Sequence, residues 1–291
     1  MDNNLQKYLA FVTTADCGSF TRAAQTLDYA QSSVSKMIAD LEAEWNLTLL
    51  ERSRAGVQLT SDGMAMIPYA RELLDSYRRV QEQASGLSGV TSGLIRIGTF
   101  SSVATHWMPN IIRAFQKDYP DIRYEMLLGD YEEIEQWIFE GRVECGFLRL
   151  PTRPEFETIS LEKDELVVVM PKEHPFTEKL AVDISDLNGQ PFMLLEHGGK
   201  TEVSELLDRY GVRPDIRFTT WDDYAILSMI EQGLGIGILH RMILQRIPYE
   251  VEIRSLAEPV YREIGLAMRC RKSTSAAVKK FIEYLKYRRK Q

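Results

Sequence analysis

Gln31, Ser32, Ser33, Ser35 and Lys36 stand almost side by side, and their types point to one kind of chemistry. Short amide and hydroxyl side chains hydrogen-bond base edges in a DNA major groove, and a lysine beside them can meet a phosphate. Further on, Arg52 and Arg54 flank Ser53 and are suited to the sugar-phosphate backbone. Catalysis has little support. The four histidines, His106, His174, His197 and His240, are isolated, with no carboxylate or second histidine at ligand or triad spacing. No GxSxG, Walker-type loop or dinucleotide fingerprint occurs. Cys17, Cys145 and Cys270 lie far apart and read as reduced buried thiols rather than ligands or a redox pair. No enzyme activity, metal or cofactor is expected.

The elements that must carry those polar residues are short helices. Phe20, Ala23, Ala24 and Leu27 fall at i, i+3, i+4 and i+7, one face of a helix, with Ser19 as its N-cap. A break at Asp28-Tyr29-Ala30 precedes a second helix from about Gln31, with Val34, Met37, Ile38, Leu41 and Trp45 on its buried side. The small pair Ala23-Ala24 suits two helices crossing steeply over a tight turn. Leu5, Tyr8, Leu9 and Val12 repeat the spacing in a preceding helix, and residues 47–60 read as two extended stretches around Ser53 to Gly56. Any three-helix domain has short amphipathic helices. The wing and the polar start of the third helix are what favour a winged helix-turn-helix over residues 1–60. Charge is a mild counterweight, because this segment has five basic and seven acidic residues. Weak affinity per copy is expected, so useful binding needs more than one copy on adjacent half-sites.

The run Phe11-Val12, Gly18 to Ala24, Leu27, Gln31, Val34-Ser35, Ile38, Leu41-Glu42, Leu49 to Arg52 and Leu59-Thr60 resembles the N-terminal signature of LysR-type transcriptional regulators. Leu50 departs from the family's usual Phe and Asn46 from a frequent Gly. Ser32-Ser33 replaces a commoner Pro-containing pair, a change that bears on base preference.

At 291 residues, with 44% apolar and 26% charged residues, the chain is sized for two or three domains with real cores. It lacks an apolar run of membrane-spanning length and a signal-like start, so a cytoplasmic protein is expected. Met66, Ala70, Leu73, Tyr77, Val80, Ala84 and Leu87 alternate at steps of four and three. Such an a/d seam reads as a dimerisation helix within residues 61–90, the alternative being a helix lying on its own domain. The resemblance implies a linker helix that pairs two subunits. A Gly/Ser-rich hinge covers 85–93.

Beyond it, residues 91–291 alternate strands and helices, as in an open α/β sheet with helices on both faces. Strands are expected at 94–98, 122–128, 145–148, 166–170, 192–195, 216–218 and 235–239, and near 250–254 and 261–268. Helices are expected at 107–117, 132–140, 202–210, 224–231 and 275–289. The apolar run 166–170 should be central. By resemblance this is a two-lobed, periplasmic-binding-protein-like effector domain. Lobe I would span about 91–162 and 240–268, and lobe II about 163–239. His240 stands where the family commonly has Pro. In such a fold a ligand sits between the lobes, at strand ends and helix starts. Thr99, Ser101 and Ser102 on one side, and Gly199, Lys200 and Thr201 on the other, form the expected loops, with Gly129, Asp130 and Arg149 at the rim. Hydroxyls, helix starts and Lys200 together favour a small anionic effector, most simply a carboxylate.

The favoured function is a sequence-specific transcriptional regulator whose promoter binding responds to a small effector. Its partners would be double-stranded promoter DNA, a second copy in a homodimer or tetramer, and RNA polymerase, with no membrane. The alternative is a solute-binding or biosynthetic protein that uses its N-terminal helices only for oligomerisation.

Overall fold

Small residues set the crossing of the first helices. The computed structural model describes residues 3–53, 56–85, 93–196 and 201–289. It opens with α1 (Asn3–Cys17), α2 (Phe20–Leu27) and α3 (Gln31–Trp45), followed by the hairpin β1 (Leu50–Ser53) and β2 (Gly56–Leu59). The Ser19 hydroxyl accepts from the Arg22 amide at 3.4 Å, as expected of an N-cap. Asp28 ends α2 in the left-handed conformation, φ 58°, and its N–H returns to carbonyls of the last turn. Ala23 and Ala24 are buried with Phe11, Val34, Ile38, Leu41 and Leu49 in a core separate from the rest of the chain. Glycine is required where the hairpin meets the α1–α2 turn. At Gly56, φ 120°, a Cβ would lie 2.8 Å from the Gly18 oxygen, and the Val57 N–H donates to that same oxygen at 2.9 Å.

Helix α4 (Ser61–Ser85) has two apolar faces. Ile67 and Ala70, with Met66 and Leu74 beside them, pack into the N-terminal core. Tyr69, Leu73 and Val80 point outward, 67%, 41% and 62% exposed. The expected seam therefore splits. Ala70 is committed to its own subunit and Met66 leans on the same core, whereas Leu73 and Val80 are free to meet another chain. Tyr77 is half-buried beside a cavity between α1, α4 and the next domain. Ala84 lies in α4, and Leu87 falls outside the described residues. A heptad repeat marks apolar positions but not what covers each.

The second domain contains β3 (Gly93–Thr99), α5 (Ser101–His106), α6 (Met108–Asp118), β4 (Ile122–Leu128), α7 (Tyr131–Phe139), β5 (Cys145–Leu150), β6 (Glu157–Pro171), β7 (Ala181–Val182) and β8 (Pro191–Leu195). It continues through α8 (Glu202–Tyr210), β9 (Asp215–Thr220), α9 (Asp223–Glu231), β10 (Ile236–His240), β11 (Val251–Met268) and α10 (Ala276–Glu283). Strand order is β4-β3-β5-β11-β6-β10-β8-β9, with β7 beside β11. Strands β3, β4 and β5 are parallel, as are β8, β9 and β10. Between these groups β6 and β11 run antiparallel, from Val251 opposite Pro171 to Met268 opposite Glu157. These two strands cross from one lobe to the other, and separate apolar cores form on either side of the crossing.

The crossing corrects several expectations. The strands expected near 250–254 and 261–268 are one strand, β11, whose pairing shifts register between Ser255 and Val260. Its first half joins the second lobe, where Leu256 is buried, so residues 240–268 do not all belong to the first. The apolar run 166–170 is central, between β10 and β11, but its strand begins at Glu157 because the earlier residues face solvent in part and carry no apolar run. The helix expected from Trp107 to Lys117 is preceded by the separate turn α5, with Trp107 as the joint. At the C-terminus α10 stops at Glu283, and a 3-10 turn, Leu285–Arg288, replaces the remainder of the expected helix.

Candidate nucleic-acid interface and ligand cleft

Helix α3 follows Ala30, an N-cap residue that offers no side-chain hydrogen bond, and has no acidic residue in its first turn. The N–H groups there are not engaged by a cap, and nothing repels a phosphate. Gln31, Ser32, Ser33 and Lys36 are exposed on this turn and Ser35 is half-buried, while Val34, Ile38 and Leu41 hold the opposite face in the core. Arg52 lies in β1 opposite Val57, and Arg54 falls outside the described residues. Glu44, one of the acids that lower the local charge, is paired with Lys7 at 3.1 Å. A convex helix end bearing short donors and acceptors has the shape and chemistry to enter a major groove.

The second site is a cleft of about 400 Å³ between the lobes. Ser101, Ser102, Gly129, Asp130, Tyr131 and Arg149 reach it from the first lobe, and Leu195, Thr201, Glu202, Trp221 and Asp223 from the second. His240 and Arg262, at the crossing, line it as well. Arg262 is 5% exposed and donates hydrogen bonds from all three of its nitrogens. It bonds Asp164 at 2.7 and 3.1 Å, the Tyr131 hydroxyl at 2.7 Å and the Ser102 hydroxyl at 2.7 Å, and lies over the Phe100 ring. The second Asp164 oxygen accepts from the Met242 amide at 2.9 Å. Removing either partner of so buried a pair would strand a charge, at a cost of about 3–5 kcal/mol.

The expected effector residues separate accordingly. Thr99 is fully buried and does not line the cleft, because it is the last residue of β3 and faces the core. Ser102 lines it, but its hydroxyl already accepts from Arg262. Arg149 crosses the cleft to Glu205 at 3.0 Å, so its charge is already answered. Asp130 caps α7, accepting from the Glu133 amide at 2.8 Å. At Gly129 a Cβ would meet the Trp137 ring at 2.5 Å. Thr201 lines the cleft while donating to the Leu195 carbonyl at 3.0 Å. Gly199 and Lys200 lie outside the described residues.

Several cleft residues escaped the sequence reading. His240 is 7% exposed, and burial, then the Arg262 and Arg149 charges, holds its pKa well below the usual value. The ring is neutral at physiological pH. Burial pushes the Asp223 carboxyl up to about 6, with Arg262 opposing and Asp222 adding to the rise. One signal was available: His240 ends the apolar strand 236–239, whereas Arg262, followed by Glu263, looks like an ordinary charged pair before the apolar stretch 264–268. Glu202 and Asp223 open helices and look like ordinary first-turn acids.

A winged head, a long connecting helix and a two-lobed domain with a cleft define a ligand-responsive DNA-binding regulator. Residues 5–64 match the model of the bacterial regulatory helix-turn-helix proteins of the lysR family, and residues 88–290 match the LysR substrate binding domain. The chain is 34% identical over 279 residues to the HTH-type transcriptional regulator YvbU of Bacillus subtilis, covering 95% of each. A full-length OxyR variant from Pseudomonas aeruginosa has the same fold, with a TM-score of 0.76 at 22% identity over 97% of this chain and 95% of that one. So does full-length CbnR complexed with its target DNA, with a TM-score of 0.64 at 20% identity over 99% and 100%. The chain belongs to the LysR family of transcriptional regulators. It is a DNA-binding regulator with a C-terminal effector-binding domain. Among the described residues no helix is long and apolar enough to cross a membrane.

Proposed function

We propose that the exposed start of α3 reads the bases of a promoter half-site while Lys36, Arg52 and Arg54 hold phosphates. The outward face of α4 pairs two copies, and a small effector in the cleft changes the spacing of the two heads. One observation carries this reading: the cleft walls belong to two lobes whose sheet halves meet at β6 and β11. A ligand touching both walls favours one interlobe angle, with coupling set by its unequal affinity for the two arrangements. On this reading the protein works in the cytoplasm without a cofactor and without catalysing a reaction, supported by its relatives being transcriptional regulators. RNA polymerase is the further partner of a promoter-bound oligomer. The alternative of a solute-binding or biosynthetic protein is set aside by family membership.

Gel shifts on the DNA upstream of the protein's own coding region test the assignment. Lys36→Ala should weaken binding to all sequences about equally and lower the salt slope by about one. Ser33→Ala should relax preference at one half-site position, with the discrimination lost there amounting to about 1–3 kcal/mol. If half-site variants keep their relative affinities in Ser33→Ala, that serine does not read bases.

A further inference from the structure

Charge in the cleft opposes the small carboxylate expected from its loops. Asp130, Glu132, Glu196, Glu202 and Asp223 all line it, and among the described residues no cation is within ion-pair distance of Asp130, Glu132, Glu196 or Asp223. Both lining arginines are answered already, Arg149 by Glu205 at 3.0 Å and Arg262 by Asp164 at 2.7 Å. Counting Lys200 as a further cation leaves the balance acidic. An anionic ligand would enter a field of its own sign.

Two buried atoms then single out one position. Among the described residues Glu202 Oε1 and His240 Nε2 have no hydrogen-bond partner, though both are shut off from solvent. They lie 3.8 Å apart, too far to bond each other, and Arg149 Nη1 is also out of hydrogen-bond reach of Glu202 Oε1, at 3.9 Å. A carboxylate oxygen accepts only, and the neutral His240 ring accepts at Nε2 in the tautomer that carries its proton on Nδ1, which is the form the inference requires. A single donor atom can sit about 2.9 Å from both. Unsatisfied buried acceptors are costly, so a site that leaves two of them side by side is built for a donor. The Tyr131 hydroxyl accepts from Arg262 at 2.7 Å and turns its own proton towards the Glu202 side chain, which fixes this corner while Oε1 stays unsatisfied.

We infer that the cleft selects a small ligand bearing an ammonium or amidinium group, seated between Glu202 Oε1 and His240 Nε2. The inference rests on the reading of the cleft as the effector site.

Thermal-shift titrations of the full-length protein with two matched sets test it: putrescine, γ-aminobutyrate and succinate, and phenethylamine, phenylalanine and hydrocinnamate. At least one ammonium compound should raise the melting temperature, and succinate and hydrocinnamate should not. Glu202→Gln should weaken the binding of that compound by about tenfold to a hundredfold, the range for a charge-assisted hydrogen bond. Ser101→Trp, which fills the mouth of the cleft, should abolish its shift, and unliganded melts of both variants check that each is folded. The inference is overturned if no ammonium compound binds, if the acids bind as well, or if Glu202→Gln binds like the parent. Acids that stabilise the parent but not Ser101→Trp would leave the cleft reading standing without its ammonium selectivity. A shift that survives Ser101→Trp would remove the cleft reading itself.

Discussion

Asp223 shows how a single side chain in the cleft links ligand chemistry to stability. Burial raises its pKa from 3.8 to about 6, so the native state holds the proton more tightly than the unfolded chain. The stability this supplies is fully present below about pH 4 and is lost as pH rises through 6. Two units correspond to roughly 3 kcal/mol, and an Asp223 ionised at neutral pH costs about 1.5–3 kcal/mol. Asp223→Asn should therefore raise the melting temperature at pH 7.5, with the gain shrinking towards pH 5. Parallel melting profiles for parent and variant from pH 5 to 8 would refute it. His240 works in the other direction: its folded pKa is depressed, so its contribution is present above 6.5 and is lost as pH falls through the folded value. At this scale the sequence made solvent exposure legible, as at Gln31, Ser32, Ser33 and Lys36 on the outer side of α3. It was opaque at Glu202 and Asp223, since an acid in a first turn looks the same whether it faces solvent or a cleft.

Periodicity reveals an element's apolar face before it reveals the partner of that face, and α4 is the clearest case. The spacing in residues 66–87 foretold one seam, yet the N-terminal core claims Ala70 and part of Met66 and leaves Tyr69, Leu73 and Val80 outside. Residues 69, 73 and 80 are four and seven apart, which keeps them on one side of a helix. Leu73→Asp combined with Val80→Asp places a charge at both positions in each chain of a pair. Unpaired charges in an apolar seam are strongly unfavourable, so sedimentation should show the dimer dissociated while the fold, read by circular dichroism, persists. An unchanged association state would mean that this face does not pair subunits. The crossing strands teach a related lesson. In β11 the charge and proline of Ala257-Glu258-Pro259 interrupt the apolar pattern at the register shift, so one strand looks like two. The helices α1 to α3 and the parallel strands were legible because each buries its face locally, whereas β6 and β11 change lobes midway.

At the scale of the whole molecule, Arg71 joins the DNA-reading head to the effector domain, which makes it the place to test for transfer of a signal between cleft and DNA. This α4 residue is 6% exposed. It bonds Asp16 of α1 at 2.5 Å, and the side chain of Glu140, just past α7 in the first lobe, at 3.2 Å. A second contact to the Glu140 carbonyl, at 3.3 Å, makes the joint directional rather than merely attractive. Arg269 and Glu72, 3.8 Å apart, add a weaker tie between the same bodies. One guanidinium thus fastens the DNA-reading head, the connecting helix and the effector lobe to one another. Arg71→Met keeps the apolar stem packed and removes the joint. The two acids left behind are partly exposed, so the stability cost should be about 1–3 kcal/mol, below that of a fully buried pair. Allosteric couplings are typically about 1–3 kcal/mol, or roughly 5-fold to 150-fold in affinity. A joint of this size is enough to carry most of such a coupling. In the variant, an effector should still raise the melting temperature, since the cleft is untouched, but promoter affinity measured with and without it should become nearly equal. Retention of the parent's full effector-dependent change in promoter affinity would show that the signal reaches the heads by another route. Loss of ligand binding along with the response would instead place Arg71 in support of the cleft rather than in the path from it.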